Sequence, residues 1–343
     1  MTGVGRPLYG VDAGGSRTSV HASDGARWNV PPLNPSSVGQ EASKTYLSEL
    51  FGGIRRHADL VCGRAGQLPA RPAIWLASAS IDPAIASAET QRFSSAARAA
   101  GLRAELVISN DVTPLILSAP MGMGHVVAVC GTGSGFLATD GRAAPFRVGG
   151  CEYLGSDEGS AFDLGMRGLR AAVRGLDGRG RRTTLSDLIT AEAETPVSEL
   201  ARTLAHTPFP KSAVAALAPI VARAWLGADA VATSLVEDAI GELVLGVRAA
   251  RDAVALLPGW RLSVTGGVMI GCPEFFDMFA LAAGRLGAEP VELISEPATA
   301  VLAALSRLAA TVPVMLSDPR IDRDAWHVDL GDPQRTSPAQ RSA

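Results

Sequence analysis

Two stretches of this chain follow one grammar, and that repetition constrains the fold more than any other feature. Residues 8–30 run as a strand-like approach, "LYGVDAGG", a short turn, and then "RTSVHASDGARWNV", in which valine and alanine alternate around an Asp24-Gly25 turn. The pattern predicts a pair of hairpin-linked strands. From His125 the order returns: "HVVAVCGTGSGFLATDGRAAPFRVGG" gives a strand, a glycine-rich turn and a strand, with a second Asp-Gly turn at Asp140-Gly141. Such self-similarity predicts an internal duplication of one supersecondary unit. At 343 residues the chain is also too long for one core of the usual size, so two domains of roughly 150 residues, with a cleft between them, are expected.

The segments between the repeats read as alternating helix and strand. Tyr46, Leu47, Leu50, Ile54, Ala58 and Val61 fall at helical spacing over Gln40 to Cys62, with Ser37 as a candidate N-cap and Gln40 three residues on. "AIWLASA" and "AELVIS" are short apolar strands separated by a helix around residues 83–100. Residues 156–257 are mostly helical in pattern, interrupted by a polar stretch near Gly175 to Thr184. "RLSVTGGVMI" is a further buried strand ending in a glycine turn, and "EPATAVLAALSRLAA" a final helix. From Pro313 onward the segment is rich in Asp, Arg, Pro and Ser without apolar periodicity, which predicts a flexible tail.

Composition excludes several classes of partner. A net charge of -3, with arginines spread along the chain, supplies no basic field for nucleic acid. Lysine occurs only as Lys44 and Lys211, a compositional bias. Cys62, Cys130, Cys151 and Cys272 never approach CxxC spacing and the five histidines never form an HxxxH pair, so neither a zinc site nor a disulfide framework is expected. No leader-like segment and no membrane span is read, and a soluble cytoplasmic protein is expected.

Four motifs carry candidate chemistry. "YGVDAGGSRTSV" fits half of a P-loop, but Ser16-Arg17 stands where Lys-Ser/Thr is required and a strand follows instead of a helix, so the P-loop reading fails. A glycine and hydroxyl turn can still offer backbone N–H groups to phosphate oxygens, and Asp12 at the strand end could hold a hydrated Mg²⁺; a plain tight turn is the alternative. The second turn, "GTGSG" from Gly131 to Gly135, has the same grammar, and two such turns in two halves suit a triphosphate. "SND" at Ser109 to Asp111 lies between a strand and a helix, where Asn110 or Asp111 is either an N-cap or a catalytic carboxylate at the strand carboxyl ends. In "VGGCEYLGSDEGSAFDLG", Asp157 and Glu158 open a long helix, a position that favours acids on dipole grounds alone. The glycines before them permit close approach by a ligand.

"GVDAGGSRT", "NPSSVG", "SNDVTPLILSA", "GTGSGFLATDG", "GGCEYLGSDEGSAFDLG", "ALAPIV" and "VTGGV" stand in the order and spacing of the BadF/BadG/BcrA/BcrD ATPase family, and over about residues 8–308 the chain most resembles its N-acetylglucosamine kinase branch. The resemblance implies an α/β fold of two ribonuclease-H-like lobes, the actin-like ATPase fold, with a central cleft. The lobes would span residues 1–118 and 119–296, with a final helix at 297–312 returning to the N-terminal lobe and a tail at 313–343. It implies ATP and Mg²⁺ as cofactors, with Asp12 as the metal residue. Gly14, Gly15, Ser16 and Thr18 would form the first phosphate turn, Gly131, Thr132, Gly133 and Ser134 the second, and Gly266 and Gly267 would lie beside the adenosine. Asn34, Asp111, Thr132, Gly149, Gly150 and Asp157 would bind the sugar, with Asp111 as catalytic base.

The chain departs from the family pattern at Arg17, where lysine is usual, at Cys151, where tryptophan is common, and at Ser156, which replaces a glycine. The last two lie on the sugar side and leave the acceptor sugar open. Asn34, next to Pro35, is alternatively a turn residue. The expected reaction is ATP-dependent phosphorylation of the primary hydroxyl of an amino sugar, N-acetylglucosamine or glucosamine, with no nucleic acid or membrane partner and a homodimer left open. Two other readings stay on the table: an ATPase activator of hydroxyacyl-CoA dehydratases, which needs two cysteines per chain for a shared cluster, and a nucleotide-binding regulator without kinase activity.

Overall fold

The computed structural model describes residues 6–64, 71–81, 85–309, 316, 318–321 and 324–331. They divide into two compact units, the first drawn from residues 1–120, 142–144 and 296–343 and the second from 121–141 and 145–295.

Unit 1 begins with β1 (Leu8–Ala13), β2 (Thr18–Ala22) and β3 (Arg27–Val30), an antiparallel meander whose second connection is the expected turn at Asp24-Gly25. Helices α1 (Pro35–Val38) and α2 (Gln40–Arg64) follow, then β4 (Ala73–Ser78), α3 (Ala86–Ala99) and β5 (Glu105–Ser109). Strand β1 pairs in parallel with β4, and β4 with β5. Every residue of β4 and β5 is buried, as strands covered on both faces require. The helical spacing of Leu47, Leu50, Phe51, Ile54 and Ala58 packs them against this sheet together with Phe93 and Ala97 of α3. Burying each of the large apolar side chains contributes about 1.5–3 kcal/mol. The expected cap at Ser37 is replaced by Asn34: Gly39 separates a short α1 from α2, and Ser37 lies inside α1.

Unit 2 repeats the plan with β6 (His125–Cys130), β7 (Ser134–Thr139) and β8 (Phe146–Gly149) as an antiparallel meander. A helical stretch follows: α4 (Glu152–Gly155), α5 (Ala161–Leu176), α6 (Leu185–Ala193), α7 (Val197–His206), α8 (Lys211–Ala215), α9 (Ala218–Leu226) and α10 (Ala230–Ala253). Then come β9 (Trp260–Thr265), α11 (Gly267–Gly271), α12 (Pro273–Gly284) and β10 (Ala288–Leu293), with β6, β9 and β10 parallel. The sheet order is β10-β9-β6-β7-β8, matching β5-β4-β1-β2-β3 of unit 1 strand for strand. Strand β10 escapes the periodicity because it is an edge strand with exposed Glu289, Pro290 and Glu292.

The chain ends in unit 1. Helix α13 (Pro297–Leu308) packs on β1 and β2, and β11 (Ala325–Asp329) adds a sixth strand antiparallel to β5. This strand corrects the expectation of a flexible tail over 313–343. Trp326, Val328 and Leu330 pack on the unit 1 core, Arg71 pairs with Asp329, and Arg320 donates to the Ala119 carbonyl at 2.8 Å. Too few alternating residues occupy this strand for periodicity to reveal it. Residues 313–315, 317, 322–323 and 332–343 of the expected tail lie outside the described residues. Among the described residues no single helix is long and apolar enough to cross a membrane.

Candidate functional site

In each unit the parallel strands end on the same side as the first glycine turn, the edge where open α/β sheets bind ligands. In unit 1 that edge is made by the ends of β1, β4 and β5. The Ala79 amide donates to the Ala13 carbonyl at 3.0 Å, and Asn110 Nδ2 donates to the Ile81 carbonyl at 2.8 Å, so the exit loop of β4 ties the other two strand ends together. Asn110 Oδ1 also accepts from the Val112 amide at 3.2 Å, a local turn, and the short helix Thr113–Ser118 that follows has no side-chain cap. Neither residue of "SND" caps that helix: Asn110 is held within its own loop, and Asp111 is the carboxylate beside it.

Asp111 is electrostatically coupled to Asp12 at the end of β1. The Asp12 carboxyl is pushed up to about 7, first by burial and then by the Asp111 charge, while the Arg17 guanidinium pulls it down. A carboxylate pair opposed by a single arginine is a donor set that suits a hard divalent cation, and one or two carboxylates completed by substrate phosphates and water is the usual Mg²⁺ arrangement. Ser16 and Arg17 are exposed on the turn and Gly14 and Gly15 partly so, whereas Thr18 is fully buried as the first residue of β2, its Oγ1 without a hydrogen-bond partner. Asn34 is buried and caps α1, its Oδ1 accepting from the Ser36 amide at 3.0 Å and the Ser36 hydroxyl at 2.9 Å. The turn reading of Asn34 is therefore observed.

Unit 2 gathers its own expected site residues closely. The Gly131 amide donates to the Gly133 carbonyl at 2.9 Å, closing the turn, and the Ala161 and Phe162 amides at the start of α5 donate to the Gly131 and Thr132 carbonyls at 2.9 and 3.2 Å. Gly266 and Gly267, at the end of β9, lie against Gly131: a Cβ there would stand 3.5 Å from the Gly267 amide nitrogen. Gly149 pairs with Gly135, and Gly149 and Gly150 both have positive φ, 68° and 74°, at the exposed end of β8.

Asp157 is 4% exposed and lies under the turn, its Oδ1 accepting from the Ser134 amide at 2.9 Å. A Cβ on Gly133 would come within 2.5 Å of that oxygen, so only glycine fits there. Asp157 itself sits at φ 74°, a left-handed position that aspartate tolerates better than most residues. The other carboxylate oxygen meets Lys211 Nζ at 2.9 Å. Lys211 Nζ also donates to Glu152 Oε2 at 2.8 Å. Sequence reasoning missed both Lys211 and Glu152. The signal available was rarity, since a chain that uses arginine almost everywhere keeps a lysine at this one buried position.

Curated relatives share most of this chain. It is 25% identical over 282 residues to an N-acetylmuramic acid/N-acetylglucosamine kinase of Clostridium acetobutylicum, covering 79% of this chain and 88% of the relative. It is 26% identical over 249 residues to an N-acetyl-D-glucosamine kinase of Dictyostelium discoideum, covering 69% of this chain and 76% of the relative. Among solved structures, a protein of Porphyromonas gingivalis provisionally named N-acetylglucosamine kinase superposes with a TM-score of 0.66 at 17% identity, over 89% of this chain and all of that one. One of Chromobacterium violaceum, with the same provisional name, does so at 0.63 and 23%, over 87% and 98%. These likenesses and the duplicated strand order show the expected fold, that of the actin-like ATPases with two ribonuclease-H-like units. A model of the BadF/BadG/BcrA/BcrD ATPase family matches residues 86–276, more than half of the chain, and the chain belongs to that family.

Proposed function

We propose that the chain is an ATP-dependent sugar kinase that phosphorylates the primary hydroxyl of an amino sugar, N-acetylglucosamine or glucosamine. The observation that carries the reading is the coupled carboxylate pair Asp12 and Asp111 at the strand ends of unit 1, in a chain whose curated relatives are named as kinases of N-acetylated amino sugars. Asp111 is the base: it orients the attacking hydroxyl and accepts its proton as the new O–Pγ bond forms and the bond to the β-phosphate oxygen breaks, releasing ADP. Phosphoryl transfer runs through a loose transition state, so positioning and charge neutralisation supply most of the catalysis. A carboxylate of ordinary basicity suffices for late proton transfer.

Asp12 is proposed to hold Mg²⁺ through its hydration shell, and the ion when bound neutralises charge on the β- and γ-phosphates. Amides and hydroxyls of Gly14, Gly15, Ser16, Thr132 and Gly133 are proposed to bind phosphate, with Thr18 beside the first turn, while Gly131 and Ser134, whose amides donate to the Gly133 carbonyl and Asp157, hold the second turn in shape. Gly266 and Gly267 are proposed to meet the adenosine. Asn34, Thr132, Gly149 and Gly150 are proposed for the sugar; Asp157, expected there as well, is buried with its oxygens on the Ser134 amide and Lys211 and is proposed to shape the turn instead. The ATP requirement is the reason for proposing a cytoplasmic location.

The rival activator reading needs an accessible thiolate for a shared cluster. Cys130, the cysteine that echoes such a ligand, is 1% exposed, its Sγ faces the Gly159 carbonyl at 3.4 Å, and burial pushes its thiol well up. Cluster ligation at Cys130 is thereby disfavoured. The test is an ADP-release assay over a panel of sugars and amino sugars, N-acetylmuramic acid included, followed by identification of the phosphorylated position. Sugar-dependent ADP release with phosphate on the primary hydroxyl is expected. Hydrolysis of ATP independent of every sugar would overturn the reading.

A further inference from the structure

Lys211 enters unit 2 from α8, a five-residue helix seated against α5. The seat depends on Gly165 of α5, where a Cβ would stand 2.0 Å from the Val214 carbonyl oxygen. Phe162, Val214 and Ala215 form a small apolar cluster with Tyr153, whose ring lies 4.9 Å from that of Phe162, and Lys211 Nζ is 5.8 Å from the Tyr153 ring centre. The stem is thus packed and the ammonium delivered to one place. There it joins the buried Asp157 to Glu152, which sits on α4.

We propose that Lys211 is a positioning residue for nucleotide: it neutralises the carboxylate beneath the Gly131–Ser134 turn, so that the turn offers its Thr132 and Gly133 amides to an anionic phosphate without a buried negative charge behind them. The inference rests on the reading of that turn as a phosphate site. Its physical core is a conflict of signs. Asp157 is needed to hold the Ser134 amide, yet a carboxylate packed against Gly133 would repel the phosphate the turn is proposed to bind, and in a desolvated setting that repulsion is poorly screened. A cation 2.9 Å away on the far oxygen resolves it. Burial by itself would lower the Lys211 pKa, but the hydrogen bonds to Glu152 and Asp157 outweigh it and hold the amine protonated. Glu152, whose side chain is about half exposed, keeps the lysine aimed without adding a second buried charge.

The experiment measures ATP affinity by calorimetry for the wild type, Lys211→Met, Lys211→Arg and the double variant Lys211→Met with Asp157→Asn. Lys211→Met is expected to weaken ATP binding about tenfold or more, since breaking a buried charge pair leaves one charge uncompensated. Lys211→Arg, which keeps the charge, should bind ATP more tightly than Lys211→Met. Removing both charges should restore affinity to within about threefold of wild type, because a buried ion pair can often be replaced by neutral groups at little loss. A purely structural lysine would show the loss and the rescue in thermal stability but leave the ATP affinity of folded Lys211→Met unchanged. Should Lys211→Met fail to fold while the double variant folds and binds, neutralisation is still supported. ATP affinity unchanged in Lys211→Met, or a double variant as impaired as the single one, overturns the proposal. A wild type that binds ATP but phosphorylates no sugar sinks the kinase reading and leaves this one standing, whereas a wild type that binds no ATP overturns both.

Discussion

The two sheets share one strand order and end in turns of different electrostatic character. Near the end of β1, just before the first turn of unit 1, stands Asp12, a carboxyl held up near neutrality by burial and by Asp111, with Arg17 as the opposing charge. After β6 the corresponding turn of unit 2 follows the buried, neutral Cys130, and the carboxylate packed against it, Asp157, is spent on the Ser134 amide and Lys211. The shared scaffold fixes where a turn occurs, and the side chains around it decide whether the carboxylate beside it faces a second carboxylate or a lysine. On the function proposed above, the carboxyls of unit 1 take the cation and the proton, while both turns face the phosphates.

Replacing Asp111 with Asn should produce the largest effect. Turnover should fall by about 100- to 10 000-fold while ATP still binds, as measured by steady-state kinetics alongside calorimetry. Near-normal turnover would remove Asp111 from the role and erase the contrast between the units.

A sixth strand is the second difference, since β11 extends only the sheet of unit 1. Leu330, 7% exposed, follows that strand and packs on the core. Leu330→Ala should cost about 2–5 kcal/mol in denaturant unfolding, the range for a buried leucine. A change below about 0.5 kcal/mol would mean that the strand adds nothing to unit 1.

Glycine substitutions test the turns themselves. Gly133→Ala should destabilise by about 1–3 kcal/mol, because its Cβ would meet Asp157 Oδ1 at 2.5 Å. Gly14→Ala, at the equivalent turn of unit 1, meets nothing closer than the Arg17 carbonyl at 3.5 Å and should be close to neutral. Equal melting temperatures for the two variants would show that the turns are packed alike.

The smallest effect concerns pH. Because the Asp12 carboxyl is raised from 3.8 to about 7, the folded chain holds a proton that the unfolded chain has lost over that interval. Its contribution to stability therefore declines as pH rises from about 4 to 7. Protons also compete with a cation there, so Mg²⁺ affinity should weaken as pH falls below about 7. Asp12→Asn should flatten both profiles. Slopes identical to those of the wild type would contradict the raised Asp12 carboxyl.

Much of this was legible beforehand. Alternation around Asp24-Gly25 and Asp140-Gly141 marked both meanders, and the helical spacing of Leu47, Leu50, Ile54 and Ala58 marked α2. These signals are local, because a two-residue turn and an apolar stripe each report themselves within a few residues. Strands β10 and β11 were hidden for the converse reason, as edge strands draw their stability from a neighbour far along the chain and need little periodicity of their own.

The candidate site divides along the same line. Sequence alone determined the duplicated meander, the glycine turns and the acidic residues beside them, because backbone geometry restricts which residues can stand at a turn. Only tertiary structure decided that Asn110 ties to the Ile81 carbonyl while Asp111 comes near Asp12, and that Lys211 reaches Asp157 from 54 positions further along the chain. Electrostatic partnership is fixed by distance through space, and separation along a sequence carries no information about it until the helices have packed.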